Sequence, residues 1–418
     1  MISWHPTVKL TLSRGVWERQ FPPSSLPANE LSHVFYAFLR PDINGTVYTL
    51  DPEADTQKML DGQGAVHLPF ARTTINRHRA VKEPGNNAYG SIGQLFDLKK
   101  RHRKMKVILS IGGSTFSSSF PVVAAAPEAR DRFAKTAVEF MKDWGFDGLD
   151  INWEYPSNEG EGADFTRLLQ RVRDELDSYA EEHAHGHRFI LSIATSVSQE
   201  KYKYLELDKL SAVDYINLMG YDFVGQWGTK TGHASNLYRS SQHTDATPFD
   251  VASAVQGYVN SGIPANKILL GIPLYGRSFN QTNGLGQVFT PSNGSQWGEP
   301  GIWDYNKLPK NGAAPLQDNE AHAWFTYQKE GNRSEFITFE VPQSVRDKAA
   351  YIKGQGLAGC FFWQASGDKK GNESLISTSF GEFQEIDETD NYLNYPTSKY
   401  DNIRGGSAKS LGAGSSGC

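Results

Sequence analysis

Residues 147–154 read Asp-Gly-Leu-Asp-Ile-Asn-Trp-Glu: three carboxylic acids and an amide interleaved with apolar side chains. Along a strand the side chains alternate faces. Asp150, Asn152 and Glu154 therefore share one face, and Leu149, Ile151 and Trp153 the other. Two carboxyls and an amide side by side in an interior are costly unless they pair or perform chemistry. Glu154 comes last, at the end of the strand. A carboxyl held beside Asp150 is expected to have a raised pKa, as a general acid needs. A hydrogen-bonded core network is the other use of such a row.

The elements that must position this row recur along the chain. Short apolar segments at 33–39, 105–113, 145–153, 188–195, 213–221, 267–275 and 358–364 read as strands. Helical patterns lie between them at 127–144, 161–184, 248–261 and 343–355, the first opened by Pro127 and placing Phe133, Ala137, Phe140 and Met141 on one face. Gly262 and Gly356 follow the last two as C-terminal caps. Continuously apolar strands suit a parallel sheet buried on both faces. The fold class expected is α/β: an eight-stranded (β/α)8 TIM barrel, with its first strand within residues 7–17. In that fold catalytic groups sit at the C-terminal ends of the strands, where Glu154 falls. Residues 276–341 break the rhythm with Gly, Asn, aromatics and short alternating segments. They are expected to form a small α+β insertion domain between the seventh and eighth barrel strands. The barrel domain then covers 1–275 and 342–385, and 386–418 is a flexible C-terminal tail ending in Gly/Ser-rich sequence.

Composition excludes several classes. A formal charge of −5 with no basic face argues against nucleic acid as a partner. The densest basic run, Lys99–Lys106, falls at an expected helix end and complements its dipole. No apolar run approaches membrane-spanning length. The N-terminal residues lack the apolar core of a secretory signal, while the four sequons at Asn280, Asn293, Asn332 and Asn372 matter only in a secreted chain, so localisation is open. Two cysteines give no disulfide framework and no zinc spacing; Cys360 reads as a buried thiol. His183, His185 and His187 read as a solvated helix-ending loop. Trp297, Trp303 and Trp324 either line a cleft or form the core of the insertion.

Motifs on several of these elements give them a family likeness. Asp147, Gly148, Asp150 and Glu154, continued by Tyr155 and Pro156, match the signature Asp-Gly-x-Asp-x-Asp-x-Glu. Ser110, Gly112 and Gly113 match Ser-x-Gly-Gly on an earlier strand. Met219, Tyr221 and Asp222 match Met-x-Tyr-Asp on the sixth, Trp363 stands at the eighth-strand tryptophan, and Tyr275 and Arg277 open the insertion. From about Leu31 to Asp368 the chain resembles glycoside hydrolase family 18, the chitinase family. The resemblance implies substrate-assisted, retaining hydrolysis of β-1,4-linked N-acetylglucosamine polymers, outside the two-carboxylate scheme. It implies Glu154, Asp150, Asn152, Asp147 and Tyr221 as catalytic positions, with Glu154 the proton donor. Phe38, Ser110, Gly112, Gly113, Trp153, Tyr155, Met219, Asp222, Tyr275, Arg277 and Trp363 are implied as the substrate-binding set. It implies no metal or organic cofactor, and a monomer whose partner is chitin or a chitooligosaccharide.

One departure matters most. Asn152 stands where the family has Asp; its carbonyl can still accept an acetamido N–H, but it supplies no negative charge. A slow hydrolase is expected, with a chitin-binding, lectin-like protein as the alternative. Gln364 replaces a common Glu, and residues 7–17 lack the family's aromatic first strand. An endoglycosidase acting on N-linked glycans is disfavoured by the insertion, which deepens the cleft for a linear chain.

Overall fold

The computed structural model describes the backbone of residues 7–13 and residues 19–63, 82–292 and 294–405. Eight parallel strands form the barrel wall: β1 (Thr7–Ser13), β2 (His33–Pro41), β4 (Lys106–Gly112), β5 (Gly148–Asn152), β6 (Ile190–Ser196), β7 (Tyr215–Met219), β8 (Ile268–Pro273) and β14 (Gly359–Trp363). A short strand β3 (Val47–Tyr48) folds back antiparallel on β2. β1 pairs with β2 on one side (Lys9 opposite His33) and with β14 on the other (Thr7 opposite Gly359), so the sheet closes and leaves no free edge. The first strand expected within 7–17 is thus present over 7–13; residues 14–17 lie outside the described residues.

The wall forms where the sequence is apolar on both faces. Every residue of β4 is buried, as a strand covered by helices outside and side chains inside must be. The helix Pro127–Trp144 begins on its proline, buries Phe133, Ala137 and Met141, and stops at Gly145, whose φ of 69° is left-handed. Glu159–His183 is capped by Asn158, whose side chain accepts from the Glu161 N–H. Val251–Asn260 and Pro342–Gln355 complete the four expected helices.

Between β8 and β14 a second, antiparallel sheet is inserted. It is built from β9 (Tyr275–Asn280), β10 (Ile302–Asp304), β11 (Leu316–Asp318), β12 (Ala323–Glu330) and β13 (Arg333–Thr338), in the order β10-β9-β13-β12-β11. Phe279 and Phe336 form its small core, with Phe289 and Phe325 packed against them.

The C-terminal tail and the histidine loop need correcting, and the basic run has a further use. Residues 386–405 are not a free tail: Tyr395 and Ile403 are fully buried, and the Tyr395 hydroxyl donates to the Phe146 carbonyl at 2.8 Å. Residues 406–418 lie outside the described residues. The basic run is what this segment docks on. Lys106 pairs with Asp387 at 3.0 Å and Lys104 with Asp390 at 2.9 Å. Lys99 is fully buried, donating to the carbonyls of Gly145 (2.6 Å) and Tyr392 (2.8 Å). The run does fall at a helix end, with Lys99, Lys100 and Arg101 in the last turn of the helix Gly90–Arg101, and the Lys99 head is in addition a fastening under the barrel. His187 stacks on Tyr392 in the same layer, with ring centres 4.6 Å apart, so that histidine does not belong to a solvated loop.

Candidate active site

Barrel closure turns the alternation of β5 into a radial sorting. Asp150 and Asn152 point inward at 3% and 5% exposure, and Glu154 follows at the rim; all three line one cleft. Asp150 is the deepest. Its carboxylate accepts from Ser110 Oγ (2.6 Å), Ser192 Oγ (2.8 Å) and Asn217 Nδ2 (2.9 Å), groups on three different strands. Ser192 and Asn217 were not singled out from sequence, although inward positions on ILSIATS and YINLM follow from the same period-two rule.

Glu154 is the group poised for proton transfer. Its backbone N–H donates to Ser117 Oγ at 2.8 Å, which fixes where the strand ends. Burial raises its pKa from 4.5 to about 7, helped by the charge of Asp222 and opposed by hydrogen bonds from Asn152 and Tyr155. The expected direction is right, but burial is the main cause and Asp222, rather than Asp150, is the charged neighbour that adds to it. Asn152 uses its amide toward Glu154, while its buried Oδ1 accepts from no protein group among the described residues. That oxygen is a free acceptor at the floor of the cleft.

The walls come from the other strand ends. Tyr221, just after β7, is half-buried and edge-on to both Tyr275 and Phe361. Burial, with Asp222 and Glu154 nearby, holds its phenol far above the usual range, so it remains a donor. Asp222 has a left-handed φ of 62°, and its carboxylate accepts from Tyr275 Oη (2.6 Å) and Arg277 Nε (2.7 Å). Opposite, Trp363 stacks on Phe38 with ring centres 5.6 Å apart and planes at 25°. Met219, Tyr275, Arg277 and Gln364 complete the lining already expected, and Arg19, Ser114, Glu299, Ile302 and Asp304 join it without any motif to announce them. Trp227, 65% exposed, lies against the Arg277 guanidinium 4.7 Å from its ring centre.

Several expected site residues lie elsewhere. Trp153 is on the outer face of β5, stacked on Phe120 at 5.6 Å and edge-on to Phe165 at 5.4 Å; it belongs to the core under the helices and not to a substrate surface. Asp147 precedes β5 at the opposite end of the barrel. It pairs with Lys99 at 2.8 Å and accepts the backbone N–H groups of Val107 and Tyr392, both at 2.7 Å, which makes it a strut rather than a catalytic group. Gly112 and Gly113 do not line the cleft but let its walls meet. Both have positive φ, and a Cβ on them would fall 2.2 Å from the Asn152 carbonyl oxygen and 2.7 Å from the Phe38 ring. Tyr155 is beside Glu154, hydrogen-bonded to it and to Ser196, behind the cleft surface. Of the insertion tryptophans, Trp324 packs on the barrel core, Trp303 bonds Ser278, and Trp297 backs the cleft wall through Asp304. Among the described residues no group of three or more His, Cys, Asp or Glu is placed to hold a metal ion.

The same arrangement of strands and motifs is found in known proteins. The sequence pattern of the glycosyl hydrolases family 18 matches residues 7–368. The chain is 46% identical over 393 residues to "Chitinase 1" of Aphanocladium album, covering 94% of this chain and 88% of that one. It is 45% identical over 391 residues to "Endochitinase 1" of Metarhizium robertsii, covering 93% and 88%. Among solved structures, chitinase ChiA74 from Bacillus thuringiensis superimposes with a TM-score of 0.79 at 26% identity, over 92% of this chain and 70% of that one.

Proposed function

We propose, from the premise that this chain belongs to glycosyl hydrolases family 18, that it hydrolyses β-1,4 bonds of chitin and chitooligosaccharides with retention of configuration. The observation that carries this reading is Glu154: a carboxyl at a barrel strand end, raised to about 7, facing a cleft with an unpaired amide acceptor and an aromatic floor. Glu154 donates its proton to the glycosidic oxygen as the C–O bond breaks. The acetamido oxygen of the sugar over Trp363 attacks the anomeric carbon and gives a cyclic oxazolinium ion. Water, deprotonated by the Glu154 carboxylate, then opens it. Tyr221 donates to the acetamido oxygen, Asn152 Oδ1 accepts the acetamido N–H, and Asp222, held by Tyr275 and Arg277, bonds the sugar beside the scissile bond. Asp150, its oxygens occupied by three donors, holds the floor in place.

Asn152 sets the rate. As a neutral amide it orients the acetamido group but adds no charge against the oxazolinium, so catalysis is slow relative to a carboxylate at that position. The test is to incubate the protein and Glu154→Gln with chitin hexasaccharide and with a high-mannose glycopeptide, following products and binding. Cleavage of the hexasaccharide by the parent alone is expected. Binding without turnover by the parent would instead establish a chitin-binding role, which the neutral Asn152 favours.

A further inference from the structure

We infer that Arg19 contacts substrate directly, donating to hydroxyls of the sugar next to the one over Trp363, with Asp304 and Trp297 as its positioning residues. The inference rests on the chitooligosaccharide reading above. Arg19 follows the first barrel strand, Asp304 and Trp297 belong to the insertion, and Ser366 lies three residues beyond Trp363 on the last loop; the cleft brings them together. Arg19 Nη1 donates to both carboxylate oxygens of Asp304 at 2.9 Å and to Ser366 Oγ at 3.2 Å. The Trp297 indole N–H donates to the same carboxylate at 2.7 Å, and the guanidinium lies 4.6 Å from the Trp297 ring centre. The cation is thereby clamped at its edge and along one face.

What the clamp leaves over is directed at a ligand. Among the described residues all the guanidinium's hydrogen bonds run through Nη1. A guanidinium has five N–H groups in one plane, so those on Nε and Nη2 remain. Arg19 lines the cleft, and its side chain is 15% exposed, against 4% for Asp304. The donors on Nε and Nη2 are thus the ones left for a ligand in that cleft. Asp304 cancels the positive charge, so the pair suits a neutral polar ligand and offers an anion no net attraction. Planar donors beside an aromatic floor match adjacent ring hydroxyls of a sugar. The bond to Ser366, three residues beyond Trp363 on the same loop, ties the guanidinium to the Trp363 side of the cleft.

Arg19→Ala and Arg19→Lys test this, with turnover of chitin hexasaccharide and, in the uncleaving Glu154→Gln background, its binding by calorimetry. Lysine can keep the ion pair with Asp304 but lacks the planar donors. Both variants are expected to bind the hexasaccharide about ten- to a hundredfold more weakly, the loss of hydrogen bonds from a charged donor. KM rises accordingly, kcat stays within about threefold, and the basic limb of the pH profile stays put. The Lys variant keeps its melting temperature. If Arg19→Lys binds as tightly as the parent while Arg19→Ala is weakened and unfolds earlier, Arg19 is only a strut of the wall and the inference is overturned. Parent protein that binds but does not cleave would refute the hydrolase reading and leave Arg19 measurable by calorimetry. A parent that binds no hexasaccharide overturns both.

Discussion

Asn152→Asp separates the two biological readings. The change removes an amide hydrogen bond that now lowers the Glu154 pKa and puts a carboxylate in its place. Positions 152 and 154 share a strand face, so the new charge lies about 4 to 6 Å from Glu154. At an effective dielectric of about 20 that is about 3 to 4 kcal/mol of repulsion between two ionised carboxylates, or about 2 to 3 pKa units. The pair will share a proton and titrate as a unit. Glu154 should then stay protonated to higher pH, and the basic limb of kcat/KM should move up from about 7 by at least one pH unit. The carboxylate also stabilises the oxazolinium, a preorganised electrostatic effect of about 2 to 4 kcal/mol. That corresponds to a gain in kcat of about thirtyfold to a thousandfold. The assay is kcat and kcat/KM on chitin hexasaccharide from pH 4 to 9 for parent and variant, with the product anomer read by NMR. A variant with unchanged or lower kcat and an unmoved basic limb would refute the role assigned to Asn152.

Other outcomes follow from the same geometry. Asp222 raises the Glu154 pKa, so Asp222→Asn should move the basic limb of kcat/KM below pH 7, read from the same profiles. Glu154 in the native protein keeps to about pH 7 a proton that the unfolded chain releases near 4.5. The native state is therefore progressively destabilised as pH rises through that window, and no further above it. Glu154→Gln, always neutral, should raise the melting temperature over the parent at pH 8 and leave it unchanged at pH 4. Asp147→Ala strands the buried Lys99 cation, whose pKa burial already lowers to about 8. Breaking such a pair costs about 3 to 5 kcal/mol, so the denaturation midpoint should fall sharply while kcat of the folded fraction holds.

Most of the barrel was legible because its signals are local. Seven strands and four helices follow from apolar runs, a proline at a helix start and glycines at helix ends, all of which act within a few residues. The catalytic face of β5 was legible for the same reason, since period two is fixed by the backbone. That rule also placed Trp153 on the outer face, and only the family motif suggested a substrate role for it. What was missed depends on contacts across hundreds of residues. Asp147 looks catalytic by its place in the motif, yet it pairs with Lys99 and caps residue 392 from below. Residues 386–405 look polar and free because their few buried side chains, Tyr395 and Ile403, have no periodic neighbours. Arg19 sits in no motif, and its role depends on Asp304 and Ser366 arriving from two distant loops.

The closure of β1 against β14 has a consequence for how the protein is made. Thr7 emerges from the ribosome early, but its partner Gly359 follows only after nearly the whole barrel has been translated. At about 5 to 20 residues per second, the first strand waits about 20 to 70 s for the neighbour that completes its hydrogen bonding. The segment holding Tyr395 and Ile403 arrives later still. Until β14 emerges any parallel sheet that forms cannot close, and its open edges can pair with another chain. The yield of folded protein should therefore respond to translation speed and chaperone supply more than to changes in the cleft. Comparing soluble yield from synonymous fast- and slow-codon versions of residues 275–405 would measure that dependence.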